Sequence, residues 1–506
     1  VRFPVLSDYE PVRPSRQTAA TDSQETRKKL AATPPTALTA RTDPKSVKRM
    51  EITQASESDN SRSMLSTDAK WKLKRGHGLT YGALFLFTIV LYARPAEFYP
   101  SPLTASLALI VALATLAFFF PTQLSLDGTL TARPSEVNLV LLFCLTALLS
   151  IPLAINPPIA WQEFSGTFIR CIVMFIVIVN VVRTKARLKG LLFLAIAAGF
   201  WLSVEAINEY RSGLMLIEGY RASGRGTGIF GNTNDMALHV VTVFPIVIAL
   251  LFGSKSVALK FVYGACAAVL LCGIVLSFSR GAFLSLIVVT MFVSMKMAPR
   301  HRISIIVATV ALGGLVLLLA PDQYGGRLLS IFDSSRDSVG SASARQGELL
   351  RSIYVALRHP LLGIGMGNYQ PEMSHRGLVT HNSYTQVAAE LGATALVCYT
   401  LFIVTPFRKL GQVARETFKN RGSSDFYYLS VGLQASLLAY MVSSFFLSVS
   451  YVWYVYYLVG FAVCLRRLYQ AETGKELVVE TRKERKEQRR AKAQSVSLVG
   501  GQVART

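Results

Sequence analysis

The sequence predicts an all-α polytopic membrane protein, and three observations carry that reading. The 506 residues are 51% hydrophobic and 16% charged, whereas a soluble domain carries about a quarter charged residues. The apolar residues fall into about twelve runs, each near the roughly 20 residues that a helix needs to cross a bilayer. The basic residues behind the net charge of +23 collect in the tails and in short loops between those runs, as the orientation rule for membrane proteins requires. That distribution explains the charge without nucleic acid; the expected partner surface is the lipid bilayer.

Residues 1–76 are rich in Ser, Thr, Pro, Lys and Arg and hold no apolar run long enough to bury, so they read as a disordered basic tail. Lys70, Lys72, Lys74 and Arg75 stand directly before the first run, which sets this end in the cytoplasm. No cleavable signal peptide is read at the start. A transmembrane domain over 77–466 follows, with spans expected at 78–93, 104–120, 137–154, 165–182, 190–206, 236–253, 257–278, 281–297, 303–320, 385–406, 426–447 and 450–466. Alternation from a cytoplasmic start puts Arg183, Lys185, Arg187 and Lys189 inside, then Lys296, Arg300 and Arg302, then Arg408, Lys409, Arg415, Lys419 and Arg421. The charges thus agree with an even number of crossings. Residues 467–506, with the run TRKERKEQRRAKAQ, form a second charged cytoplasmic tail. Cys144, Cys171, Cys266, Cys272, Cys398 and Cys464 all fall inside apolar spans without a CxxC pair. They read as small core residues, not as a metal site or disulfide framework.

Two outer loops, about 207–235 and 321–384, are longer than simple connections and are candidates for function. Within the second, Ala344 to His359 has helical periodicity, with Leu349, Ile353, Tyr354 and Leu357 on one face. This amphipathic helix is expected to lie against the membrane surface or over a cavity. Pro360 ends it, and LLGIGMGNY continues as a glycine-rich turn.

Arginine on the outer face runs against the orientation rule, so each one needs a reason. Arg221 and Arg225 lie in GYRASGRGTGIFGNTNDMA, Arg280 lies in SFSRGAF, and Arg170 lies just inside the outer end of the fourth span. Phosphate suits such a set, because guanidinium presents a planar fork of donors and stays charged. The spans that start after Asn232 and Asn234, at Arg280 and after His381 also point unsatisfied N–H groups outward, an anion-binding arrangement. His381 belongs to THNSYTQVAAELG and precedes two good N-cap residues, Asn382 and Ser383. The positive end of the helix dipole disfavours the imidazolium there, which leaves a neutral imidazole available as a base. Plainer readings stand beside these: Arg221 and Arg225 as loop charges or headgroup anchors, and His381 as a polar residue at a helix mouth. His375 competes as the base but lacks the helix-mouth position, and His239 reads as a satisfied core histidine. Glu205 and Asp235, at outer helix ends, are in place to orient an arginine or the base.

Through GTGIFGNTNDMA, SFSRGAFLSL, Arg345 followed by HPLLGIGMGNY, and HNSYTQVAAELG, roughly residues 225–395 resemble the O-antigen ligase and O-antigen polymerase family of bacterial membrane glycosyltransferases. The resemblance implies transfer of a glycan from undecaprenyl diphosphate to an acceptor hydroxyl at the periplasmic face of the inner membrane, in lipopolysaccharide or exopolysaccharide assembly. It implies His381 as the base, with Arg280 and Arg225 holding the diphosphate. Arg221, Arg345, Arg170 and Asn234 are the further substrate-binding candidates. It implies neither metal nor cofactor. The long tails and the threonine of GNTND, where the family pattern has proline, leave the acceptor open among lipid A core, a growing glycan and protein. In other classes, a twelve-helix transporter would show similar halves, broken helices near the midplane and ionisable residues deep in the spans. A membrane scaffold would depend on its basic tails.

Overall fold

A computed structural model of the chain describes residues 73, 76–213, 221, 222, 230, 232–297, 303, 307, 310, 311, 341–374, 376–422 and 424–475. Both charged tails, apart from a few residues next to the bundle, lie outside the described residues, as do Arg225, His375 and most of the span expected over 303–320. Among the described residues, ten helices are long and apolar enough to cross a membrane.

Helix α1 (Gly78–Ala93) turns through Arg94 into the short α2 (Pro95–Phe98), and α3 (Pro102–Asp127) and α4 (Ser135–Ser150) follow. The fourth span is composite: α5 (Pro157–Glu163) passes through a π-helical turn at Phe164–Phe168 into α6 (Ile169–Val181). Then come α7 (Lys185–Arg211), α8 (Thr233–Gly253), α9 (Val257–Leu276), α10 (Arg280–Met297), α11 (Ser341–Arg358), α12 (Ser383–Thr417), α13 (Phe426–Ser443) and α14 (Trp453–Thr473). Several helix starts carry the side-chain acceptor their N–H groups need. Ser101 and Thr104 form a reciprocal capping box on α3, Asn232 caps α8 and Asn382 caps α12.

Helix α13 is the axis of the bundle, packed against α8, α10, α12 and α14. Around it, buried tyrosines find partners inside the bundle. Tyr440 Oη lies 2.8 Å from Tyr399 Oη and donates to Val449 O at 3.2 Å, while Tyr456 Oη donates to Ser450 O at 3.0 Å. At the end of the bundle away from His381, basic residues that the sequence places on the cytoplasmic side form ion pairs with acidic residues of α3 and α4. Arg466 Nη2 meets Glu136 Oε2 at 2.9 Å, with Lys409 Nζ 3.5 Å from Glu136 Oε1, and Arg183 pairs with Asp127.

Two features of the long loop position the site. Helix α11 agrees with the expected amphipathic helix, but its apolar face (Ile353, Tyr354 and Leu357) is exposed, while Glu348, Ser352 and Val355 pack inward. An outward apolar face suits a helix lying on lipid. Beyond it, the glycine-rich turn seats itself in a break of α12. Gly392 has φ 83° and ψ −177°, which interrupts the helical ladder and frees the carbonyls of Ala389 and Glu390. Ile364 N and Gly365 N take those two carbonyls at 3.0 and 2.9 Å, and Ala393 N donates to Pro360 O at 2.8 Å. The loop thus completes the hydrogen bonding that the helix gives up.

Candidate functional site

The mouth of α12 is built from its own cap and one neighbouring segment. Asn382 Oδ1 accepts from Tyr384 N at 2.9 Å and Thr385 N at 3.0 Å. Ser383 Oγ donates to Leu447 O at 2.7 Å and accepts from Val449 N at 3.0 Å, and Ser450 Oγ donates to Ser383 O at 2.9 Å. Thr380 Oγ1 lies 2.8 Å from Ser448 Oγ. The turn between α13 and α14 therefore grips the mouth from several sides. Sequence reasoning passed over this turn, although the small polar run SVS between two apolar helices marks it.

His381 stands at this mouth with φ 52°, a left-handed conformation that costs a non-glycine residue about 1–3 kcal/mol and collects at functional sites. Its pKa is lowered from 6.5 to about 4. Burial is the largest cause, the Arg345 guanidinium adds to it, and the Glu348 carboxylate opposes it. The neutral imidazole expected from the sequence thus has burial and Arg345, which α11 brings to the histidine, as its causes. Glu348, 5% exposed, accepts from Tyr369 Oη at 2.8 Å and Ser374 Oγ at 3.0 Å. A glutamate in an outer-loop helix reads as a solvated charge, and only the fold of the loop reveals it facing inward.

Arg280 opens α10 two residues after Phe278, which has φ 51°. A Cβ on the neighbouring Gly281 would approach Phe446 Cβ to 3.2 Å, and Ser285 Oγ lies 2.7 Å from Ser443 Oγ. Arg280 and His381 are therefore anchored on one structure, the 443–450 turn, from its two sides.

Arg221 is 3% exposed. Its Nε donates to Ser277 O at 3.2 Å and its Nη2 to Asn234 Oδ1 at 2.9 Å, while Ala222 N donates to Leu276 O at 3.2 Å. Arg221 thereby ties the first turn of α8 to the turn that presents Arg280, a positioning arrangement for both. Arg170 is exposed on α6 and is not brought into this group. His239 is buried, its Nε2 3.0 Å from Ala195 O, as a core histidine should be.

Residues 265–400 match the O-antigen ligase family model. This stretch is similar to the O-antigen ligases, and the similarity supports a membrane glycosyltransferase or ligase of surface-polysaccharide assembly. The O-antigen ligase match spans Arg280, Arg345, Glu348 and His381, while Arg170, Arg221, Arg225 and Asn234 precede it. No curated protein matches the chain.

Proposed function

We propose that this O-antigen ligase-like chain moves a glycan from undecaprenyl diphosphate to an acceptor hydroxyl, at an end of the bundle that faces the periplasm across the bacterial inner membrane. The observation that carries the reading is the shared anchoring of His381 and Arg280 on the 443–450 turn, both residues lying inside the O-antigen ligase match. His381 takes the proton of the acceptor hydroxyl as its oxygen forms a bond to the anomeric carbon. The bond from that carbon to the diphosphate breaks, and its electron pair leaves on the phosphate oxygen. Arg280 and Arg225 neutralise that oxygen, with Arg345 beside the histidine and Arg221 and Asn234 bracing the Arg280 turn. A diphosphate is already a good leaving group, so positioning and charge neutralisation are the main demands on the protein. The acceptor is lipid A core, a growing glycan or protein.

A transporter is the second reading, favoured by one observation: α12 is broken at Gly392 beside the buried Glu390. The groups freed there bond to the 360–365 loop, so the break has a structural use without a transported ion. Both readings are tested by incubating purified protein in detergent with an undecaprenyl-diphosphate-linked glycan and acceptor extract, with and without EDTA. Release of the lipid diphosphate that disappears in folded His381→Ala, with donor binding weakened in Arg280→Ala, supports the transferase. Full turnover by folded His381→Ala removes His381 as the base, and lack of donor binding by the native protein favours the transporter.

A further inference from the structure

Below His381, α12 carries a polar stripe that the steps above do not use. Asn382, Gln386 and Glu390 are spaced by four residues and so share one helix face over about 12 Å. Asn382 is 2% and Glu390 3% exposed, and Tyr451, 6% exposed, stands against Glu390. Asn382 Nδ2 and Gln386 Oε1 are buried without a hydrogen-bond partner in the protein, while Glu390 and Tyr451 face each other within reach of a side-chain hydrogen bond. Leaving one such group unsatisfied costs about 1–3 kcal/mol, so a donor and an acceptor one turn apart on the same face call for a shared partner. They include donors and acceptors, the mixture that holds ordered water, which needs two to four polar neighbours. The other Glu390 oxygen is occupied, since Oε1 accepts from Tyr369 N at 3.3 Å. Glu163 flanks the same loop: a Cβ on Gly367 would run into its Cγ, and Glu163 is exposed at the end of α5.

We propose that Asn382, Gln386, Glu390 and Tyr451 hold a short column of ordered water that carries the proton received by His381 to Glu390, and from there to Glu163 at the surface. The proposal rests on His381 acting as the base. Acceptor and donor together cover the mouth of α12 during transfer, so the proton needs a route other than the one by which substrates enter. A histidine with a pKa of about 4 holds a proton weakly at neutral pH and passes it on readily. The proton leaves the acceptor oxygen for the imidazole, moves through water to convert the Glu390 carboxylate to the acid, and departs through Glu163, which restores both groups. Glu390 and Gln386 act through water and are relay residues.

Hydroxyl-radical footprinting of the full-length protein in detergent tests the column without reference to activity, because radicals formed from bound water label adjacent tyrosine even when it is buried. Labelling of Tyr451 in the native protein, lost in Gln386→Leu, is the expected result. An unlabelled native Tyr451, or labelling unchanged in Gln386→Leu, overturns the column. Turnover tests the relay. Glu390→Gln keeps an oxygen for Tyr369 N but cannot accept a proton, and it is expected to lower kcat about tenfold with KM for the donor unchanged. The dependence of kcat on the deuterium fraction of the solvent, curved for several moving protons in the native protein, becomes linear in the variant. Native kcat and curvature in Glu390→Gln overturn the relay, and Gln386→Leu supplies the same kinetic test should Glu390→Gln fail to fold. Failure of the native protein to cleave any donor counts against the transferase reading, and the footprinting result then still decides the water column.

Discussion

The backbone of Glu390 occupies the space where Gly363 would carry a side chain: a Cβ there would overlap the Glu390 carbonyl carbon and oxygen. Gly363 also has φ 65°, so both space and backbone conformation require glycine. The glycine-rich turn is thus a plug fitted to the break in α12, and the fit is what fixes α11 and its Arg345 and Glu348 over His381.

Gly363→Ala should therefore destabilise the protein on two counts, roughly 1–2 kcal/mol for the left-handed backbone and 1–3 kcal/mol for overpacking. Gly377 has φ 64° and open space around its Cβ position, so Gly377→Ala should show the backbone part alone. Thermal unfolding of the two variants in detergent measures the difference, and equal melting temperatures would contradict the plug.

In the proposed transfer the neutral imidazole of His381 is the active form, so the acid limb of kcat/KM should fall near pH 4 and not near the ordinary value of 6.5. Activity is expected to hold from neutrality down through pH 6, where an unshifted histidine would already have lost most of it. Arg345→Gln removes a cause that lowers the pKa, while burial and Glu348 remain. The limb should move upward, part of the way to 6.5. Rate profiles between pH 3.5 and 8, for enzyme returned to neutrality as a stability control, read this out.

Ser383→Ala leaves Leu447 O and Val449 N without their shared hydroxyl. The expected loss is roughly 1–3 kcal/mol of stability. Because the 443–450 turn also seats α10, kcat should fall about tenfold or more through misplacement of both groups. A comparison of single-turnover rate with donor affinity separates that effect from weaker binding.

Glu136→Gln acts at the other end of the bundle. It removes the charge opposite buried Arg466 and nearby Lys409, which should destabilise by about 3–5 kcal/mol. Turnover per folded molecule should stay native, since this end takes no part in the proposed chemistry. Denaturation in detergent and active-site titration together check both halves.

The all-helical membrane fold, the cap at Asn382 and the amphipathic helix before Pro360 were legible in the sequence because each is a local pattern of period, cap or breaker. The inward face of α11 was not. Leu349, Ile353, Tyr354 and Leu357 announce the apolar side, and only the packing against α12 decides that Glu348 and Ser352 point to the protein. Arg221 reads as a loop charge because its partners, Ser277 and Asn234, lie on two other elements. The 447–450 turn and the polar stripe under His381 escaped for the same reason. Pairing between distant segments leaves no period in a sequence.

The break at Gly392 also divides α12 into two parts. Ser383 to Leu391 form a short strut pinned at its top by the 447–450 turn and at its foot by the 360–365 loop, while the rest of α12 continues as a separate rod. The strut that carries His381 thus has both ends fixed by other segments of the chain.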